Sequence, residues 1–244
     1  MALSPAYREV SDTDLSQALF NKIPCPNMRT GIRMGLLNPD SQGWVATTEI
    51  RAYLEYIGID KNSKVEDLLI ITGERAPEEK KEGYINLTAF AGTFLDHGSS
   101  SGILNNPEGF LENRLELLLS YADDQGRFYK KNLGLALNDF HQCPFREKKL
   151  VGTNILSFEF AGLLEIYGRT DETNTTKYFT QEDVIDLWKH NRFPETWQAP
   201  PKTFCGTWQS FVKYLSMIAV RIRIGWWNTG KPKNQLADDQ QAEQ

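Results

Sequence analysis

The sequence predicts a single, mainly α-helical domain, and three observations support this prediction. Apolar residues recur at the spacing of one helical face in many segments, while the alternation typical of strands is scarce. The chain has 244 residues, 40% of them hydrophobic and 24% charged, which is enough to bury a sizeable core. We expect residues 1–230 to form this domain and the polar tail 231–244 to be disordered.

The expected helices follow from local signals along the chain. A short helix over 14–20 is broken by Pro24 and Pro26, and a second helix can begin just after Pro26. Thr47 can cap a third helix, because the apolar positions 50, 53, 54 and 57 share one face. The same periodicity predicts helices over 65–71, 87–94, 110–121, 133–140, 155–167, 181–189 and 208–222.

Charge and cysteine content restrict the expected partners and location. The net charge of −5 provides no positive field that would attract nucleic acid. The most apolar stretch, 211–227, contains Lys213, Arg221 and Arg223, so we expect no membrane span. The first residues show no basic region followed by an apolar stretch, and the three cysteines cannot all pair. We therefore expect no signal peptide and a reducing, cytoplasmic location.

Residues 38–49 have the frame of an EF-hand calcium loop. Oxygen-bearing side chains occupy positions 1, 3 and 5, glycine occupies position 6, and Glu49 occupies position 12. Calcium sites use several carboxylates, whereas this loop has only Asp40 and Glu49. A glycine turn followed by a helix is the expected structure, and an EF-hand-like calcium-binding protein is the alternative function. Weaker versions of the frame lie at 123–128 and 171–182.

Cys25 lies between two prolines, Pro24 and Pro26. If a helix starts after Pro26, the unpaired amide groups and the positive end of the helix dipole favour the thiolate form of Cys25. A thiolate at a helix start can bind a soft metal or a haem iron. An ordinary buried thiol is the alternative interpretation.

The stretch around Cys25 resembles the haem-thiolate peroxidases, the family of the chloroperoxidases and the unspecific peroxygenases. Their proximal signature is Pro-Cys-Pro followed by a short helix, a glycine and a Leu-Pro turn. Residues 23–40 follow that pattern, with 35–39 in the place of the family's Gly-x-Leu-Pro-Arg. The resemblance implies haem b as cofactor, with the Cys25 thiolate as the axial ligand of the iron. In the family this turn leads into a helix and binds no calcium.

A second segment, 85–100, is similar to the distal motif of the family, Glu-His-Asp-x-Ser. Asp96, His97 and Ser100 take the places of its Glu, His and Ser, whereas Gly98 replaces its aspartate. The resemblance implies that Asp96 and Ser100 help to hold Mg²⁺ near a haem propionate. It also implies that His97 is the partner of a catalytic glutamate.

A third segment, 156–168, places Glu159 where the family has its acid-base residue. Its aromatic and aliphatic neighbours should desolvate the Glu159 carboxyl and raise its pKa, as a proton shuttle near neutral pH requires. Glu165, on the same segment, is expected to be solvated. A fourth segment, 188–200, resembles a late packing landmark of the family, and no chemistry is expected from it.

The four segments together imply a helical bundle that encloses a haem between the proximal Pro-Cys-Pro helix and distal helices. The implied activity is hydrogen-peroxide-dependent peroxidation or peroxygenation, in which Glu159 moves the peroxide proton and His97 orients its carboxylate. Aromatic residues near the distal elements favour a hydrophobic small-molecule substrate; these are Phe90, Phe94, Phe158 and Phe160. A haem protein that binds ligands without turnover is a further alternative.

Overall fold

The computed structural model describes residues 17–23, 25–59, 81–90, 105–106, 109–110, 112–141, 160–173 and 176–200. About half of these residues are helical, and the remainder includes several short strands. Among the described residues, no helix combines the length and the apolar character that crossing a membrane requires. The tail 231–244 and the helices expected over 65–71 and 208–222 lie outside the described residues.

The first elements include a small two-stranded sheet. They are α1 (Gln17–Phe20), α2 (Pro26–Arg33), β1 (Trp44–Ala46), α3 (Thr47–Tyr56) and β2 (Tyr84–Asn86), followed by a 3₁₀ turn over Leu87–Phe90. The helix expected just after Pro26 is confirmed, and it starts at Pro26 itself, in the first helical position, where the missing N–H is no loss. The start of α3 is also confirmed, but its N-cap is Ala46, since the Thr47 hydroxyl donates to the carbonyl of Gly83 instead (3.2 Å).

The later elements alternate helices with short strands. They are β3 (Asn105–Asn106), β4 (Gly109–Phe110), α4 (Glu112–Leu119), β5 (Arg127–Phe128), α5 (Lys130–His141), α6 (160–167), β6 (Arg169–Thr170), β7 (Lys177–Thr180) and α7 (Gln181–Val184). α7 begins with a capping box formed by Thr180 and Asp183, and it continues as a π-helical turn over Ile185–His190. The turn ends at Asn191 in the left-handed region (φ 52°).

The strands make the described part of the chain mixed α/β, so the prediction of a helical bundle and of an all-α protein is wrong. The described strands form three antiparallel sheets, β1–β2, β3–β4 and β5–β7–β6. The shortest strands have 2 residues and the longest has 4. Period-two alternation needs a longer run than this to be recognised, which is why the sequence pattern did not reveal them.

Each of the three loops with an EF-hand-like frame contains or leads into one of these strands. In β1 Val45 pairs with Ile85 of β2, and in β5 Phe128 pairs with Phe179 of β7. All four side chains are buried, so each pairing contributes to the core. Gly43 has a φ of 93° in the turn before β1, a conformation that glycine adopts without strain. The loops are therefore turns that begin a strand.

The core joins both parts of the chain around α2. The π-helical turn after α7 contacts α2, and the buried Tyr53 of α3 hydrogen-bonds to Asn27 of α2. Gly31 in α2 permits this close packing, because a Cβ there would lie 2.8 Å from Leu37 Cδ1 and 3.0 Å from Tyr53 Cζ. Helix α2 and the cysteine before it are thus held by tight packing.

Candidate functional site

Cys25 is the N-cap residue of α2, with an extended backbone (φ −79°, ψ 115°). Its side chain is partly exposed and packs against the hydrophobic core. The Cys25 carbonyl accepts the first helical hydrogen bond, from Arg29 N (3.0 Å). The first-turn amides and the positive end of the helix dipole therefore lie beside this residue, as the sequence predicts.

A buried arginine fixes the chain segment that enters α2. The Arg29 guanidinium is 2% exposed, and its Nε donates to the carbonyl of Ile23 at 2.5 Å. A second nitrogen donates to the carbonyl of Asn21 (3.2 Å), and the guanidinium lies 5.4 Å from the ring centroid of Phe20. Arg29 thus ties the residues before Cys25 to the helix after it and adds a positive charge one turn from the cysteine.

Two buried tyrosines bind Asn27, which lies two residues after Cys25. The Tyr167 hydroxyl donates to Asn27 Oδ1 at 2.5 Å. The Tyr53 hydroxyl contacts the same Oδ1 at 2.8 Å and the Asn27 carbonyl at 2.7 Å. The two hydroxyls are 3.1 Å apart. This hydroxyl network, made of Asn27, Tyr53 and Tyr167, joins α2, α3 and α6 beside the candidate ligand.

Burial raises the pKa of both tyrosines of the network. Desolvation raises the pKa of Tyr53 well above its usual value of 10.0, and the Tyr167 phenol and the Cys25 charge raise it further. Desolvation also raises the pKa of Tyr167; the hydrogen bond with Tyr53 opposes this rise, and the Cys25 charge adds to it. A negative charge on Cys25 thus disfavours ionisation of both phenols.

An aromatic cluster continues from the network toward the surface. The Tyr167 ring centroid is 5.4 Å from that of Trp197 and 5.7 Å from that of Phe193. Phe193 and Trp197 are 4.4 Å apart, and Tyr56 lies 5.9 Å from Trp197. The partly exposed Trp197 donates its indole N–H to the carbonyl of Ile166 (2.8 Å). The segment 188–200 therefore packs on Tyr167 and Tyr56.

The carboxylates of the EF-hand-like loop 38–49 have protein partners. Asp40 Oδ1 accepts from the N–H groups of Gln42 (2.9 Å) and Trp44 (3.0 Å), and Oδ2 lies 3.4 Å from Lys81 Nζ. Slight burial raises the pKa of Asp40, but these hydrogen bonds outweigh it and lower the pKa overall.

Glu49, at the last position of this loop, also bonds within the protein. Its Oε2 accepts from the backbone N–H of Asn38 at 2.9 Å and lies 3.4 Å from Asn38 Nδ2. The described residues contain no group of three or more His, Cys, Asp or Glu side chains that could hold a metal ion. The geometry favours a structural turn at this loop.

Glu165 is buried, so the expectation that it is solvated is wrong. It is 9% exposed, and its carboxylate lies 3.7 Å from Lys177 Nζ and 4.0 Å from Lys130 Nζ. Lys177 also donates to the Glu165 carbonyl. Burial lowers the pKa of Lys177, although the Glu165 charge partly restores it. Both lysines are far from Glu165 in sequence, so no helical spacing could have indicated this cluster.

The structure describes the Cys25 side of the predicted site but not its distal side. Asp96, His97, Ser100 and Glu159 lie outside the described residues. Phe160, one of the residues expected near the substrate, is fully buried and contacts the ring of Trp188 (5.7 Å), so it belongs to the core.

The hydroxyl network could not be predicted from the sequence. Asn27 is 26 residues from Tyr53 and 140 from Tyr167, so no local spacing pattern connects the three. The only sequence signal was the apolar helical face that contains Tyr53, and that face indicates burial rather than a hydrogen-bonded cluster.

Comparison with models of known protein families gives no match, and comparison with curated proteins gives no significant one.

Proposed function

We propose that this protein is a hydrogen-peroxide-dependent haem-thiolate peroxidase or peroxygenase, with Cys25 as the ligand of a haem b iron. The observation that carries the proposal is the position of Cys25: an N-cap residue in extended conformation before an 8-residue helix. The order of the four sequence segments that resemble the family supports it independently.

The residues around Cys25 fit a thiolate that binds haem. A soft, anionic sulfur is a suitable ligand for haem iron, and the helix start lowers the free energy of its charged form. The buried Arg29 adds positive charge on the next helical turn. The side chain is partly exposed beside the apolar core, as a sulfur that contacts a bound planar cofactor must be.

Bound haem would supply the activation of hydrogen peroxide and the transfer of its oxidising equivalents. The Cys25 thiolate would donate electron density that favours heterolytic O–O cleavage. Glu159 would take a proton from hydrogen peroxide and return it to the leaving oxygen, and His97 would orient the Glu159 carboxylate. Asp96 and Ser100 would contribute oxygen ligands to Mg²⁺ beside the cofactor.

We propose a hydrophobic small molecule as the substrate and oxygen insertion as the reaction. The support is the apolar character of the segments that resemble the distal elements of the family. Phe160 is part of the core and gives no support to a substrate site. The alternative of calcium binding at 38–49 receives no support, because Asp40 and Glu49 accept hydrogen bonds from backbone amides.

Peroxide-dependent oxidation by haem-loaded protein tests the proposal. Cys25→Ala should abolish the activity, whereas the matched variants Cys143→Ala and Cys205→Ala should retain it, because neither of these cysteines lies in a Pro-Cys-Pro segment. Glu159→Gln should lower turnover by the ~10²–10⁴-fold that a general acid-base residue contributes. Equal activity of Cys25→Ala and wild type, or failure of the wild type to bind haem, would contradict the proposal.

A further inference from the structure

A continuous set of side chains leads from the neighbourhood of Cys25 to the surface. Two residues after Cys25, Asn27 accepts a hydrogen bond of 2.5 Å from the Tyr167 hydroxyl. The Tyr167 ring lies edge-on to the indole of Trp197, with 5.4 Å between the ring centroids. Trp197 is partly exposed. The covalent bonds from Cys25 to Asn27, one short hydrogen bond and one ring contact therefore connect the cysteine to the oxidisable, partly exposed side chain of Trp197.

The buried tyrosines of this path are poor places for an electron vacancy to rest. A phenol that loses an electron also gives up its proton. Among the described residues, the hydrogen-bond partners of the Tyr167 hydroxyl are weak bases, the amide oxygen of Asn27 and the hydroxyl of Tyr53. Burial also raises the pKa of both phenols. Tyr167 is thus suited to be a bridge between other sites, not an end-point.

Trp197 is suited to be the end-point. An indole can lose an electron and keep its N–H proton, and here that N–H stays bound to the carbonyl of Ile166 at 2.8 Å. The rings of Phe193 (4.4 Å) and Tyr56 (5.9 Å) lie against it, and aromatic rings attract a positive charge. The surroundings therefore stabilise an oxidised, cationic Trp197.

We infer that Trp197 is a second oxidation site, at which phenol-type donors in solution lose single electrons. This inference rests on the proposed function, because the primary oxidant is a haem at Cys25 that hydrogen peroxide has oxidised. Trp197 loses one electron to that centre by way of Tyr167. A phenol in solution then returns one electron to Trp197 and releases its proton to water, so the indole is restored and a phenoxyl radical leaves.

Electron transfer can be tested without haem. A ruthenium tris-bipyridine sensitiser is attached to the Cys25 thiol in a full-length Cys143→Ser/Cys205→Ser protein and is oxidised by a light flash with a soluble quencher. We expect the transient absorption of a tryptophan radical, its loss in Trp197→Phe, and its retention in Trp44→Phe, which changes another partly exposed tryptophan outside the cluster. An unchanged transient in Trp197→Phe would overturn the inference.

A second measurement uses the wild-type chain and covers the case in which Trp197→Phe does not fold. Haem-loaded protein is treated with hydrogen peroxide without any reducing substrate, and oxidised tryptophans are mapped by mass spectrometry. Oxidation concentrated at Trp197 and suppressed by added phenol supports the inference, and oxidation spread equally over Trp44 and Trp197 overturns it. A protein that binds no haem but shows the flash-induced radical at Trp197 would refute the proposed function while leaving the electron path intact.

Discussion

Replacing Asn27 with alanine should destabilise the packing around Cys25. Asn27 Oδ1 accepts the hydrogen bond of Tyr167 at 2.5 Å and contacts the Tyr53 hydroxyl at 2.8 Å, and both tyrosines are 1% exposed. In the variant the Tyr53 hydroxyl keeps its hydrogen bond to the backbone carbonyl of residue 27. The Tyr167 hydroxyl loses its hydrogen bond to Oδ1. The Tyr53 hydroxyl, 3.1 Å away, remains as an acceptor for Tyr167, so the variant loses one hydrogen bond but leaves no buried donor unpaired. We therefore expect a loss of about 0.5–1.5 kcal/mol in the free energy of unfolding.

A double-mutant cycle separates this hydrogen bonding from other effects of the substitution. In a Tyr53→Phe/Tyr167→Phe background no hydroxyl needs an acceptor, so Asn27→Ala should cost about 0.5–1.5 kcal/mol less than in the wild type. Urea unfolding gives both values from the midpoint and slope of each curve. Asn113→Ala, on the exposed face of α4, is the matched control and should change stability by no more than about 0.5 kcal/mol. If Asn27→Ala lowered the free energy of unfolding equally in both backgrounds, the hydrogen bonds between Asn27 and the two tyrosines would be refuted.

Three further predictions concern packing, a buried ion pair and pH. Gly31→Ala should destabilise the protein by about 1–3 kcal/mol, because its Cβ would lie 2.8 Å from Leu37 Cδ1; an unchanged urea midpoint would contradict this. Asp183→Ala removes two hydrogen bonds with Arg169 (2.8 and 2.9 Å) and a helix cap, so we expect a loss of about 2–3 kcal/mol by urea unfolding, and a loss under 1 kcal/mol would contradict this. Burial lowers the pKa of Lys177 in the folded protein below its usual value of 10.5. At a pH between the folded and the unfolded pKa, the unfolded chain binds more protons than the folded protein. The free energy of unfolding therefore rises with pH in this range. Lys177→Met should lack this rise in a pH series, and a parallel profile for both proteins would refute the assignment.

Local signals gave the helices that position Cys25. Proline fixes its own backbone and has no N–H, so Pro24 and Pro26 indicate a helix start without any tertiary information. The apolar spacing in α3 likewise indicates the face that carries Tyr53. The cap of α3 was assigned to the wrong residue because the partner of Thr47, the carbonyl of Gly83, is 36 residues away.

The remaining features depend on contacts between distant residues. The sheets were missed because their strands have only 2 to 4 residues, although the glycine turns before β1 and β5 are visible in the sequence. Burial of Glu165 depends on Lys130 and Lys177, which reach it from other elements. The hydroxyl network combines residues of three helices in the same way. Periodicity predicts which face of a helix is buried but not which polar groups meet there.

The absorption spectrum of the reduced, carbon-monoxide-bound haem complex tests the central claim most directly, because the position of the Soret band depends on the axial ligand. The account predicts the red-shifted band of a thiolate-bound iron in the wild type and in Cys143→Ala, and its loss in Cys25→Ala. A band at the position typical of a nitrogen ligand in the wild type, or a red-shifted band that persists in Cys25→Ala, would contradict it.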